Sequence, residues 1–336
     1  MNLTTLGDLS HSFALRQRQF DLKTESQKLQ MELTTGLAAD TRSHLQGDYA
    51  HLNDIERSLK MLDSYRFAIT ESDTTTLAMQ SSLGVIQDVT VELSSALFLA
   101  AQPGGQQGLK TASAQAEQSF ATIVGQLNTN AANRSLFAGA SFDTSALAPA
   151  SELMSGLRAA VTGETTLTGV QSALDAWFDT PGGDFETLGY VGSTVDGTPL
   201  QLSEDVRVGL SIRADDPIFR ESLKSVAMAA LAGDQTLGFS QDLQVVMVNQ
   251  AGSALLELQP ELTDTIAGLG LVQSQIEQSR TRNESAALAL EVSRNALLSV
   301  DPFESATRLE QVQTQIETLY AVTVRASRLT MLDFMR

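Results

Sequence analysis

The sequence predicts a mainly α-helical protein, a long antiparallel helical rod whose N- and C-terminal helices pair, with a small β-containing α+β outer domain inserted in the middle. Three observations lead there. Apolar residues recur at spacings of three and four over both ends of the chain; Gly and Pro cluster between residues 137 and 234; and aromatics make up only 5% of a composition rich in Ala, Ser, Thr, Gln and Leu. At 336 residues the chain exceeds what one core usually serves, so two or three domains are expected.

The first helix is expected from about Phe13 to Leu37, which holds no proline. Leu15, Leu22, Leu29 and Leu33 fall on one side of it, and Phe13, Phe20 and Met31 fall nearly opposite. A helix with two apolar stripes needs two partners. After a break from Gly36 to Asp48, Leu52, Ile55, Leu59, Leu62 and Ile69 follow a helical pattern, which the Ser/Thr-rich stretch Thr70 to Thr76 interrupts. The pattern resumes at Leu83, Ile86, Leu93 and Leu97 and stops at Pro103-Gly104-Gly105. Fifty such residues would span ~75 Å at the helical rise. A third helix is expected from Gln106 to Ser135, antiparallel to the second.

In the middle, Val206, Val208, Leu210 and Ile212 alternate with Arg207, Gly209 and Ser211, the pattern of a half-buried strand. Tyr190 to Ser193 and Leu200 to Leu202 are its candidate partners, with Asp196-Gly197 as a turn. The single tryptophan, Trp177, reads as the core anchor of this insertion. Asp216-Pro217 reads as an N-cap and first turn of a helix ending near Gly233, and another helix runs from Ser240 to Leu258. Pro260 breaks or kinks the chain before a long helical stretch with Val272, Ile276, Ala287 and Leu290. Asp301-Pro302-Phe303-Glu304 starts the last helix, where Leu309, Val312, Ile316 and Leu319 form the most regular coiled-coil seam in the sequence. The matched periodicities predict that this seam packs on the Leu15-Leu22-Leu29-Leu33 stripe. The expected division is residues 1–45 with 290–336 as paired terminal helices, 46–140 with 236–289 as the rod, and 141–235 as the outer domain.

Composition excludes several functions. Forty acidic against 22 basic residues give a net charge of -18, which repels nucleic acid and anionic lipid. No apolar run approaches the ~18 residues of a membrane span, so no membrane insertion is expected, and the start of the chain lacks the pattern of a cleaved signal peptide. Without cysteine there is no disulfide or thiolate chemistry. The three histidines, His11, His44 and His51, read as solvated surface groups, and Asp215-Asp216 reads as capping. Gly104 to Gly108 lacks the strand and the Lys-Ser/Thr pair of a phosphate loop. The sequons at Asn133 and Asn283 are short enough to occur by chance. No catalytic residue, cofactor or metal site is expected.

Several stretches resemble the bacterial flagellin family. Leu29 to Leu37 is similar to its "L-x-x-x-L-S-T-G" segment, and Ala132 to Gly139 to its "x-x-Y-L-F-A-G" turn. Asp301 to Ala306, continuing into Leu329 to Phe334, is similar to the "L-S-L-F-D-Y-L" ending of hook-associated members rather than of filament subunits. The family's "S-D-D-P" segment is replaced here by Ala39 to His44. The resemblance implies an extracellular structural subunit of the flagellum, exported by the flagellar type III route and assembling by terminal helix pairing, with Leu332 and Phe334 joining the seam residues at the interface. It further implies a ring between hook and filament, contacts with a neighbouring hook-associated protein and flagellin, and a cytoplasmic export chaperone on the C-terminal helix. The alternatives are a filament flagellin and, in another class, a type III tip or translocator-like protein.

Overall fold

The computed structural model describes residues 3–102, 106–131 and 133–334, with side chains at 10–102, 107–131 and 133–325. The expected turn at Pro103-Gly104-Gly105, Ala132, and the side chains of Leu332 and Phe334 lie outside the described residues. The chain divides into two compact units, residues 1–63 with 284–336 and residues 64–283. Helices α3 (Ala50–Ala100) and α9 (Gln259–Leu298) contribute to both.

The first unit contains α1 (Leu3–Thr35), α2 (Thr41–His44), the start of α3, the end of α9 and α10 (Pro302–Phe334). Asp301 starts α10 as expected, its carboxylate accepting from Phe303 N at 2.8 Å. The break after α1 is built by Gly36, which ends the helix at φ +71°, a left-handed conformation that glycine adopts without a Cβ penalty. Asp40 then caps the single-turn α2 by accepting from Ser43 N at 3.2 Å.

The second unit holds α4 (Gln106–Leu127), α5 (Ala150–Ala160), α6 (Leu167–Asp179), a π-helical turn (Phe185–Gly189), α7 (Pro217–Ala232) and α8 (Gln241–Glu257), with the remainder of α3 and α9. Helix α7 is its centre, buried nearly throughout and packed on α4 and α8. Its Ala- and Ser-rich sequence lets those backbones approach closely: a Cβ on Gly233, just past its end, would meet Ser113 Cβ at 2.5 Å. Phe120, Phe137, Phe178, Phe185 and Phe219 fill the remaining volume, and Trp177 stacks edge-on against Phe178 and Phe185, the core anchor the sequence predicts. Leu83, Ile86, Leu93 and Leu97 of α3 are buried in the same core. By length and composition part of α3 could cross a membrane, contrary to the expectation that no segment comes near that length; Leu83, Ile86, Leu93 and Leu97 are spent on this core, while Leu77, Val91 and Leu99 are exposed.

Four local expectations are corrected. Helix α3 runs unbroken through Thr70 to Thr76, because Thr70, Thr74 and Thr75 return their hydroxyl protons to the carbonyls of Arg66, Thr70 and Glu71. Helix α4 ends at Leu127, not Ser135, and is followed by a hairpin of β1 (Asn130–Ala131) and β2 (Arg134–Ser135); Asn128 turns the chain by pairing its side chain with both N and O of Leu147. The Val206 to Ile212 strand shrinks to β4 (Arg207–Val208), which pairs with β3 (Leu200–Gln201), while Tyr190 bridges Leu147 instead. Asp216 precedes α7 without a capping bond from its side chain, which accepts from Arg213 N at 2.9 Å.

The β3–β4 hairpin does not join the main core. Leu202 and Val208 pack with Ile69 of α3 and Ile276 of α9, and the buried Asn283 donates from Nδ2 to Leu202 O at 2.7 Å.

Candidate assembly interface

Helices α1 and α10 lie antiparallel in the first unit, and three links along their length fix the register. Near one end Gln19 Nε2 donates to Tyr320 Oη at 2.8 Å. In the middle Leu22, Leu29 and Val312 are buried together, with Leu309, Ile316 and Leu319 partly buried around them. At the other end Glu32 accepts from Ser305 Oγ at 3.4 Å with one carboxylate oxygen and from Ala39 N at 3.1 Å with the other. The chain segments beyond the helices then cross as a single β-bridge between Leu37 and Ser299, flanked by bonds from Ala38 N to Leu298 O (2.8 Å) and Val300 N to Gly36 O (3.1 Å).

Of the eight seam residues singled out in the sequence, Leu22, Leu29 and Val312 are buried, and Leu15, Leu309, Ile316 and Leu319 are half-buried. Leu33 stands apart at 36% exposure, because Glu32 takes the place facing Ser305. Gln19, Ser26 and Glu32 interrupt the apolar stripe at helical spacing. Polar groups at seam positions select one register among several that an all-leucine stripe would tolerate, and they could have been found by continuing the heptad through polar residues.

Beside this end of the pair, Glu25, Lys28, Glu32, Asp40, His44 and Arg308 are among the residues lining an open cleft of about 430 Å³. Its charges pair internally, as Lys28 with Asp40 at 3.7 Å, and the His44 Nε2–H donates to Leu297 O at 3.1 Å. His44 is exposed, as the sequence predicts, and its ring also ties this turn to the end of α9. Among the described residues no three His, Cys, Asp or Glu side chains are grouped to hold a metal ion.

Among the described residues nothing covers the opposite stripe of α1: Phe13, Phe20 and Met31 are 67%, 66% and 57% exposed. Phe303, Val322 and Val324 of α10 and Leu288 and Val292 of α9 are also exposed.

Known proteins resemble this chain in its last quarter and in its fold. Residues 253–335, which include the end of α8 and all of α9 and α10, match the bacterial flagellin C-terminal helical region. A structure described as a flagellar hook-associated protein from Vibrio parahaemolyticus shares the fold, at 14% identity and a TM-score of 0.53, over 73% of this chain and 95% of that one. FlgL from Bacillus cereus aligns over 73% of this chain and 96% of its own, at 14% identity and a TM-score of 0.41. No curated protein matches the sequence. The last quarter of the chain thus matches the bacterial flagellin C-terminal helical region, and the chain shares the fold of a flagellar hook-associated protein.

Proposed function

We propose that this chain is a structural subunit of the bacterial flagellum that forms the ring between hook and filament. The observation that carries the reading is the α1 stripe of Phe13, Phe20 and Met31, left uncovered on a helix whose other face is already closed by α10. A neighbouring subunit covers that stripe, and the seam residues Leu15, Leu22, Leu29, Leu309, Val312, Ile316 and Leu319, continued by Leu332 and Phe334, hold the helix pair in shape to receive it. Residues 141–235 act as the outer piece. Before assembly the uncovered apolar residues call for protection, the role of a cytoplasmic chaperone on the C-terminal helix. The work done is mechanical, not catalytic.

Two measurements test this. Replacing Phe13 and Phe20 with Glu should leave the helical content and unfolding midpoint of the isolated chain unchanged and abolish its incorporation into flagella and the cell's motility. Tagged protein should appear at the hook tip of hook-basal bodies that lack filament. Label along the whole filament would instead identify a filament flagellin, and normal motility in the double variant would remove the stripe from the mechanism.

A further inference from the structure

Away from the terminal helices, the second unit contains a cleft of about 370 Å³ between α5, α6 and the π-helical turn. That size suits a ligand group, and Ala148, Gly156, Ala159 and Ala160 on its wall are too small to fill it. Trp177 lines it while only 4% exposed. The indole Nε1 lies 3.3 Å from where a Cβ on Gly156 would stand, and among the described residues it has no acceptor. An indole N–H can only donate, and this one is open to the cleft, where a ligand can accept from it.

The rim carries the second observation. Leu188 on the π-helical turn is 65% exposed, and beside it Glu152 and Asp184 have no ion-pair partner among the described residues. A π-helical turn is rare and recurs at functional sites; here it brings Asp184 and Leu188 to the mouth of the cleft.

We infer that this cleft docks a peptide of a partner protein in which a large apolar side chain stands next to Lys or Arg. The apolar side chain fills the space between the alanines, Leu153 and Trp177; a peptide carbonyl accepts from Trp177 Nε1; the cation sits between Glu152 and Asp184. Charge selects this occupant over an acidic peptide or a second copy of the same unit, since residues 64–283 hold 24 acidic against 10 basic residues.

Because Trp177 is the only tryptophan, its emission reports the cleft directly. The full chain should show a saturable emission change with N-acetyl-Phe-Lys-amide, and at least about tenfold weaker responses to N-acetyl-Phe-Glu-amide and N-acetyl-Gly-Lys-amide. Glu152→Gln with Asp184→Asn, both at exposed positions, should weaken binding of the first peptide about threefold to tenfold. Ala160→Leu should abolish the response by filling the space. No saturable change, an equal response to the acidic peptide, or unaltered binding in the double variant would each overturn the inference, and the double variant decides it even if Ala160→Leu unfolds.

Discussion

Leu29→Ala separates the two faces of α1. Leu29 is 3% exposed in a small cluster with Leu22 and Val312. A buried Leu→Ala change costs about 2–5 kcal/mol, the higher values belonging to rigid cavities that cannot collapse. Here Leu309, Ile316 and Leu319 are only partly buried and can move into the gap, so the cost should fall near 2 kcal/mol at the low end. With a urea dependence of about 1–3 kcal/mol per molar, the helical transition of this unit moves down by roughly 1 M. The assay is urea unfolding followed in parallel by far-UV circular dichroism and by Trp177 emission, since Trp177 sits in the core of the other unit. The dichroism midpoint should move and the emission midpoint should not. Phe20→Ala on the same helix should move neither by more than about 0.5 kcal/mol equivalent, because its side chain is two-thirds exposed. A Leu29→Ala protein with an unchanged dichroism midpoint would refute the seam. Equal shifts in both signals would refute the separate stability of the two units.

Gly139→Ala should lower the thermal midpoint in calorimetry by several degrees, because Gly139 sits at φ +61° and a Cβ there would strike the carbonyl oxygens of Ser193 and Val195, the latter at 2.6 Å. An unchanged midpoint would mean that the 190–197 loop yields freely. Burial pushes the Asp234 carboxyl up, but bonds from Thr236 and Arg158 outweigh it and hold the group below its ordinary 3.8. Its contribution to stability is therefore present above that value and is lost as pH falls through the depressed one. Arg158→Leu should raise the carboxyl toward the ordinary value and so shrink the acid loss, seen as a smaller fall of the emission midpoint with pH and as an upward shift in the carbon NMR titration of Asp234. Asn283→Ala leaves Leu202 O without its donor at a cost of about 1–3 kcal/mol. Hydrogen exchange at Leu202 N, which bonds Val206 O at 2.9 Å, should accelerate, and unchanged protection there would detach the hairpin from α9.

Periodic and capping signals were legible in the sequence because they are local. The seam on α10, the Asp301 start and the helix start near Ser240 depend on residues within one or two turns. The misread elements depend on distant partners. The end of α4 is set by Asn128 reaching Leu147, nineteen residues on. Alternation from Val206 to Ile212 implied a strand, but Val208 turns to Ile69 and Ile276 while Leu210 and Ile212 pack against the main core, so one alternating stretch serves two clusters. Asp215 and Asp216 read as capping, whereas Arg213 gathers both, with Asp196, into one cluster that ties the 190–197 loop to the start of α7. The docking cleft had no signature beyond a lone tryptophan, because its defining property is volume left empty by small residues that the sequence alone cannot place together.

The distribution of charge gives the assembly reading a physical basis that periodicity does not. Residues 1–63 and 284–336 carry 12 basic and 16 acidic residues, a net of -4, and the other unit carries 10 and 24, a net of -14. Copies of a chain with the whole -18 spread evenly would repel at any face they brought together. Concentrating the acid in one unit leaves the unit with the uncovered stripe close to neutral. Apolar burial at Phe13, Phe20 and Met31 then meets little electrostatic opposition, while the acidic unit resists unspecific contact. On the proposed function the near-neutral unit is the one whose copies meet least repulsion, and the register set by Gln19, Glu32, Ser305 and Tyr320 holds its helix pair in one shape.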